Sequence, residues 1–564
     1  MAKKSTVKPS AAPPKPAPTP NAPTTPGKNA LEQWLPWALS GLALLLYATG
    51  FGNGMVAMDD HSATVNNPAV KDFALFGQFN LGMYAPVTWA AYGLAYAIGQ
   101  DNAFWYHLLS ALVHAANVLL VFRLFRYLSP NWHFAGIVAL FFAIHPIQVE
   151  AVSWIAGFST PLFSLFYLAA LLCYLQYRSA SGQMAGRLGL ALGLFVLACL
   201  SKSAAVTLPL TMLVLDLWLS RPLSVKMLTE KIPFFAVSLF FGVLTLYSRA
   251  AAGHTGADAL IQYTFFDRFL MVCHTIPFYW LKILAPTGLS IWYPFERVNS
   301  SWPVSYFVAP LVLAGICWAT WRWRHAAKIV GLGLLFYLSN IVLSLPYATF
   351  GTFELRSDRY NYLACLGVFA LLAALPTAAT AKKPSWANAA WGFLLLLALF
   401  YGYQTVRRIR DWKDTLTLIN KAIAEQGDNF GKAYLWRGME YGDAGKRQPA
   451  IEDFTRAIDK NPGLIEAYKY RGGLLGMTGQ HEKALADLNI YLNQNPNDPE
   501  YLFNRGVALR KLGKYPEAIA DFTKTIQLQP TFAPAYRSRG NAYSEMGETA
   551  KAQADLEMYG RLKK

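Results

Sequence analysis

Four short stretches combine ionisable side chains in ways that suit chemistry at a membrane surface. Asp59-Asp60-His61 sets two adjacent carboxylates beside an imidazole. A carboxylate there can take a proton from a hydroxyl or hold a divalent cation; the same pair also reads as a solvated helix cap. In His145-Pro146-Ile147-Gln148-Val149-Glu150-Ala151-Val152-Ser153-Trp154, the histidine and glutamate stand five apart. That is not a metal-ligand spacing on one helical face. Read bare, the stretch is a helix–turn–helix with Trp154 as an interfacial anchor. Ser201-Lys202-Ser203 interrupts two apolar runs, and its lysine is either a phosphate ligand or a snorkelling side chain. Glu354-Leu355-Arg356-Ser357-Asp358-Arg359-Tyr360-Asn361-Tyr362 offers two arginines. Arginine is the side chain best suited to bidentate phosphate recognition; a local Arg–Asp pair is the competing reading. Together these stretches place acids, a lysine and arginines in loops on one membrane face, as transfer from a lipid-linked phosphosugar would require.

The elements that must position them are membrane helices. Of 564 residues, 54% are hydrophobic and only 15% charged, well under the quarter usual in soluble domains. Apolar runs lie at roughly 35–51, 103–122, 133–149, 160–177, 187–201, 203–220, 232–249, 304–321, 328–345, 361–379 and 386–405. A helical span needs about 20 residues. A further run at 268–285 is more polar, with His274, Pro277 and Lys282. Basic loops with Arg123/Arg126, Arg178/Arg187, Arg221/Lys226/Lys231, Arg322/Arg324/Lys328 and Lys382/Lys383 all fall on one side only if 268–285 does not cross. The expectation is therefore about eleven spans, with 268–285 lying along the outer interface. The C-terminal region then sits outside the cytoplasm, against the charge of Arg407, Arg408 and Arg410; if 268–285 crosses, that region is cytoplasmic. Residues 1–30 form a Pro/Ala/Lys-rich tail that cannot bury a core.

The formal charge of +17 belongs to cytoplasmic loops, and no basic stretch has nucleic-acid-module spacing, so no nucleic acid partner is expected. Cys173, Cys199, Cys273, Cys317 and Cys365 lie in apolar segments without a CxxC, which implies neither a disulfide framework nor a zinc site.

After a connecting helix at 407–428, residues 429–564 repeat internally. Arg-Gly recurs at 437/438, 471/472, 505/506 and 539/540, a period of 34. Ala450, Ala484, Ala518 and Ala552 keep that period, as do Asp453, Asp487, Asp521 and Asp555. Pro462, Pro496 and Pro530 close three of the units. These are four tetratricopeptide repeats. The fold class is all-α: a polytopic bundle at 31–406 followed by a helical solenoid.

The order of motifs resembles the transmembrane-and-TPR family of protein O-mannosyltransferases and its bacterial relatives, in the GT-C glycosyltransferase superfamily. The shared features are the Asp-Asp after the first span, the His-Pro…Glu-Ala-Val-x-Trp loop and the Leu-Ser-Lys turn. The Leu289-Ser290-Ile291-Trp292-Tyr293-Pro294 stretch, the Arg-Tyr-x-Tyr-Leu step and the C-terminal repeats complete the series. The resemblance implies a polyprenyl-phosphate sugar donor and a Ser/Thr hydroxyl acceptor on a translocated protein. It implies Asp60 or Asp59 as catalytic carboxylate, Glu150 in the site, and Lys202 and Arg359 on the donor phosphate. Arg356 is a further donor-phosphate candidate, and His61 and His145 are further site candidates. No cofactor is required, although Asp59 and Asp60 are the place for a divalent cation. A multi-pass protein of the bacterial inner membrane follows, its repeats periplasmic and holding acceptor or partner. Two positions depart from the family pattern: Phe158 follows Ala156-Gly157 where arginine is common, and Ser203 follows Lys202 where an acid is common. A non-catalytic membrane-anchored repeat scaffold is the rival reading. A transporter would need charges within the spans, and these hold few.

Overall fold

The computed structural model describes residues 30–73, 79–80, 82–179, 185–251, 263–295, 301–322, 328–346, 356–426 and 430–563. The basic tail, Glu354 and Leu355 lie outside them. The described chain is helical, and no strand occurs among these residues. Beside the helices Pro86–Gly99 and Leu375–Lys382, twelve of the described helices build the N-terminal bundle around the apolar runs. They are α1 (Ala30–Ala48), α2 (Ala103–Leu128), α3 (Trp132–Ile144), α4 (Ser159–Ser179), α5 (Ala185–Ser201) and α6 (Leu208–Trp218). The rest are α7 (Ile232–Ala251), α8 (Phe265–Leu284), α9 (Val304–Arg322), α10 (Lys328–Ile341), α11 (Cys365–Ala373) and α12 (Pro384–Asp411). Asn102 and Asn131 start α2 and α3 by accepting the N–H of Phe104 and His133 on their side chains, which satisfies donors a helix start leaves open.

Among the described residues five helices are long and apolar enough to cross a membrane: Ala103–Leu128, Ile155–Ser179, Val225–Ala251, Val304–Arg322 and Ser385–Asp411. A sixth arises if Trp132–Ile144 and Pro146–Ser153, bent by 51°, form one span. The chain is a membrane protein. Length and composition thus support five or six crossings, fewer than the eleven expected. Ala185–Ser201, Ser203–Trp218, Lys328–Ser344 and Cys365–Ala379 are apolar but short, and α1 carries Glu32, Gln33 and Pro36 in its first two turns.

Contacts sort the loops into two ends of the bundle. At one end Arg126 pairs with Glu32 at 2.6 Å, and the Tyr127 hydroxyl donates to the Leu175 carbonyl at 3.2 Å. Arg178, Arg221 and Lys231 gather there on Asp216, and Lys328 reaches the Trp218 carbonyl. These are four of the basic loops. Both ends of α8 lie at the opposite end. Asp267 accepts the Trp302 indole N–H, just ahead of α9, at 2.6 Å, and the Ile283 carbonyl meets His145 at 2.7 Å. One apolar stripe of α8 is buried, including Leu270, Ile276, Tyr279 and Ile283, while Phe265, Phe269 and Leu281 are exposed. An amphipathic helix lying across one end has this pattern.

The last helix, α12, returns to that same end. Asn53 donates to the Ile409 carbonyl and Gly54 to that of Lys413. The helix Thr415–Gln426 follows, then four hairpins: Gly431–Asp443 with Arg447–Lys460, Ile465–Met477 with His481–Gln494, Pro499–Lys511 with Tyr515–Leu528, and Ala533–Glu545 with Thr549–Leu562. Gly445, Gly479, Gly513 and Gly547 join the two helices of each pair at φ of 70° to 81°, a region that only glycine enters without strain. Ala450, Ala484 and Ala518 are fully buried where paired helices approach. Leu556 and Met558 on the last helix stay exposed.

Candidate active site

Glu150 stands on a one-turn helix, Val149–Ser153, and the sequence around it explains its placement. Pro146 has no N–H to continue α3. His145 fills the break: its Nδ1 accepts the Ile147 N–H at 3.1 Å, so its Nε2 donates to the Ile283 carbonyl at 2.7 Å. Beyond Trp154 the chain folds back so tightly that a Cβ at Gly157 would sit 2.9 Å from the Glu150 carbonyl oxygen. The fully buried Glu150 carboxylate then accepts from the Ser357 hydroxyl and the Arg359 guanidinium, and from the Arg359 N–H at 3.3 Å. The Arg359 guanidinium lies 4.9 Å from the centre of the Trp154 ring. The second and fourth stretches, 209 positions apart, therefore form one cluster.

Lys202 joins it from the turn between α5 and α6. Its Nζ donates to Thr160 Oγ1 at 2.7 Å. Lys202, Arg359, Thr160, Tyr360 and Asn340 line one cavity of about 30 Å³. Burial pulls the Lys202 ammonium down to about 7, with the Arg359 charge adding to the effect and Glu150 opposing it.

Asp60 enters from the first loop at the start of a short helix, Asp60–Ala63. One carboxylate oxygen accepts the Val56 N–H at 2.7 Å and the other the Ala156 N–H at 2.8 Å. Burial pushes this carboxyl up to about 7, outweighing both hydrogen bonds. Through Ala156 it is tied to the loop whose Trp154 carries Arg359. Asp59 is half-buried and His61 exposed. Among the described residues no three His, Cys, Asp or Glu side chains converge as a cation would need, and each Asp60 oxygen already accepts a backbone N–H. A cation at Asp59–Asp60 would thus draw most of its ligands from a substrate.

Other expected residues lie elsewhere. Arg356 is buried 4.2 Å from the Phe278 ring and 4.3 Å from the Phe295 ring, donating to the Tyr293 and Pro294 carbonyls. His145 is spent on the α3 break. Asp358 is not the partner of Arg359: it accepts the Tyr293 hydroxyl at 2.8 Å and faces Arg408 at 3.9 Å. Burial and the nearby Glu150 raise it to about 7. Phe158, where the family pattern has arginine, is buried 5.5 Å from the Tyr92 ring centre. The motifs alone do not single out Thr160 and Ser357. The signal for them is position, Ser357 inside the arginine stretch and Thr160 ahead of Pro161 at the start of a span.

The tetratricopeptide-repeat family profile matches residues 499–532, the third hairpin. A protein O-mannosyl-transferase of Caenorhabditis elegans is 24% identical over 457 residues, covering 75% of this chain and 62% of its own. A second protein O-mannosyl-transferase, of Mus musculus, is 33% identical over 178 residues, 29% of this chain and 21% of its own. A crystal structure of MamA protein is 24% identical, with a TM-score of 0.25, covering 28% of this chain and 85% of that one. This chain thus spans about three fifths of the first transferase and a fifth of the second.

Proposed function

We propose that the protein is a membrane glycosyltransferase of the GT-C kind. It moves a sugar, by likeness to its relatives a mannose, from a polyprenyl-phosphate carrier to a Ser or Thr hydroxyl of a translocated protein. The observation that carries this reading is the convergence of Lys202 and Arg359 on one cavity, with the Glu150 carboxylate behind Arg359 and Asp60 tied to the loop that carries Trp154. Lys202 and Arg359 hold the donor phosphate and stabilise it as it leaves, the kind of electrostatic contribution that dominates many transfers. Glu150 orients Arg359. The cavity must widen to admit the donor. Asp60 takes the acceptor proton as its hydroxyl oxygen attacks the anomeric carbon in line. A carboxyl near 7 is well matched to a base working near neutrality. The site faces the non-cytoplasmic side of a bacterial inner membrane. The solenoid leaves from that end of the bundle, so its periplasmic groove holds the acceptor polypeptide.

Asp60→Asn tests the reading. Transfer to exported proteins, followed by mass spectrometry for a lost hexose, should fall by about 10²–10⁴ with the protein still expressed in the membrane. Undiminished transfer by the variant would remove Asp60 as the base; a scaffold without catalysis instead predicts no lost hexose when the whole protein is absent.

A further inference from the structure

A second polar cavity lies where the bundle meets the solenoid. It has a volume of about 210 Å³ and is lined by Gln404, Arg407, Arg408 and Asp411 of α12 and by Lys421 and Glu425 of the following helix. At roughly 30 Å³ per water it has room for a phosphate group. Arg408 is 4% exposed, yet its Nε and Nη2 have no hydrogen-bond partner among the described residues; Nη1 donates to Asp411 at 3.3 Å, and Nη2 faces Asp358 at 3.9 Å, beyond hydrogen-bond reach. Buried guanidinium N–H groups left unmade are costly. Arg407, Arg408 and Lys421 line the cavity with Asp411 and Glu425; Asp358 faces Arg408, Lys282 donates to the Thr287 and Gly288 carbonyls of the wall, and Lys421 pairs with Glu425 at 2.6 Å, which leaves four cations to three acids.

The approach to this cavity is apolar. Leu395, Leu399 and Tyr403, each more than 60% exposed, repeat every fourth residue along α12, and the next member of the row is Arg407. Positions four apart share a helix face, so an acyl chain running along the row brings its headgroup to Arg407. We propose that this junction binds the phosphate of an anionic membrane phospholipid, clamped between the end of α12 and Lys421. The lipid thereby fixes the solenoid to the membrane surface. It also gives a use to arginines that loop-charge bias places on the unfavoured side.

The full chain, solubilised in detergent, is titrated with phosphatidylglycerol or phosphatidylcholine and read by native mass spectrometry. The expected result is preferential retention of phosphatidylglycerol. The Arg407→Gln/Lys421→Gln variant should bind it about tenfold more weakly or worse. Both positions are at the rim, and an unchanged melting temperature of that variant without lipid shows that it folds. Equal retention of the two lipids by the wild type, a measurement that needs no variant, overturns the proposal. So does unchanged affinity in the variant. Inorganic phosphate binding through Arg407 and Lys421 without lipid retention would also overturn it, assigning the cavity to a free oxyanion.

Discussion

Arginine–carboxylate pairs are built in two different ways in the two halves of this molecule. In the solenoid, Arg437, Arg471, Arg505 and Arg539 each make two parallel hydrogen bonds of 2.6–2.9 Å to Asp453, Asp487, Asp521 and Asp555, 16 positions on. The remaining nitrogen of each reaches back to the preceding helix, at Asn420, Thr455, Asn489 and Thr523. Each pair is neutral, local and fully used. It ties a hairpin to itself and to its predecessor, and Asn420 extends the series to Thr415–Gln426, so that helix acts as a half-repeat seating the solenoid on the bundle. In the bundle, Glu150 faces two cations, Arg359 and Lys202, brought from loops far apart in sequence. One positive charge is left over at a cavity. The solenoid pairs serve architecture; the surplus beside Glu150 lies at a cavity, where the proposed donor phosphate would sit.

Removing the bundle arginine should therefore cost most. Arg359→Ala takes away one of the two cations proposed to hold the donor phosphate and leaves Glu150 buried without it. Transfer should fall by about 10³, and stability by about 3–5 kcal/mol. Arg359→Lys restores the charge but not the fork, so stability should recover more than activity does. The comparison breaks if Arg359→Ala keeps wild-type transfer in the fraction that folds.

The matching change in the solenoid, Arg471→Ala, removes hydrogen bonds to a charged group and should cost about 1.5–3 kcal/mol, measured as a lower denaturant midpoint for the repeat region. Transfer per folded molecule should stay near wild type with a small peptide acceptor that does not need the groove. A thousandfold loss with such an acceptor would mean that the ladder does more than hold the hairpins together.

How much of this is legible in the chain follows the same divide. The repeats announce themselves because their contacts recur at a short fixed spacing, and the Arg and Asp of each pair stand out as periodic residues in the sequence alone. The four reactive stretches are visible as loops for a similar reason: charge interrupts apolar runs. Pairing is not visible. Asp358 adjoins Arg359, yet the single turn Asp358–Asn361 sends the two side chains apart, one to Tyr293 and Arg408, the other to Glu150 across 209 positions. Arg356, three residues away, turns into an aromatic sandwich with Phe278 and Phe295. The eleven spans are not confirmed, because several apolar helices here are shorter than a bilayer crossing, whereas loop charge counts only sides. The amphipathic character of 268–285 is legible, because polar residues within an apolar run mark one buried and one exposed face.

The smallest effect at neutral pH, and the most diagnostic, concerns Lys202. Its ammonium is pulled down to about 7 while the Asp60 carboxyl is pushed up to about 7. On the proposed function, transfer needs Asp60 without its proton and Lys202 with its own. As pH rises through 7, the first condition is gained and the second lost, so kcat/KM for the free enzyme should be bell-shaped, with only about a quarter of molecules correctly protonated at the peak. Lys202→Arg keeps a cation that does not titrate in this range. It should gain no more than about twofold at pH 7, but its alkaline limb should vanish, leaving a rate that rises through 7 and stays flat. In kcat the wild-type alkaline limb should already be shifted upward, because the bound phosphate holds the Lys202 proton in place. An alkaline limb that persists unchanged in Lys202→Arg would assign it to another group and remove Lys202 from the charge surplus that distinguishes the bundle pair from the solenoid ladder.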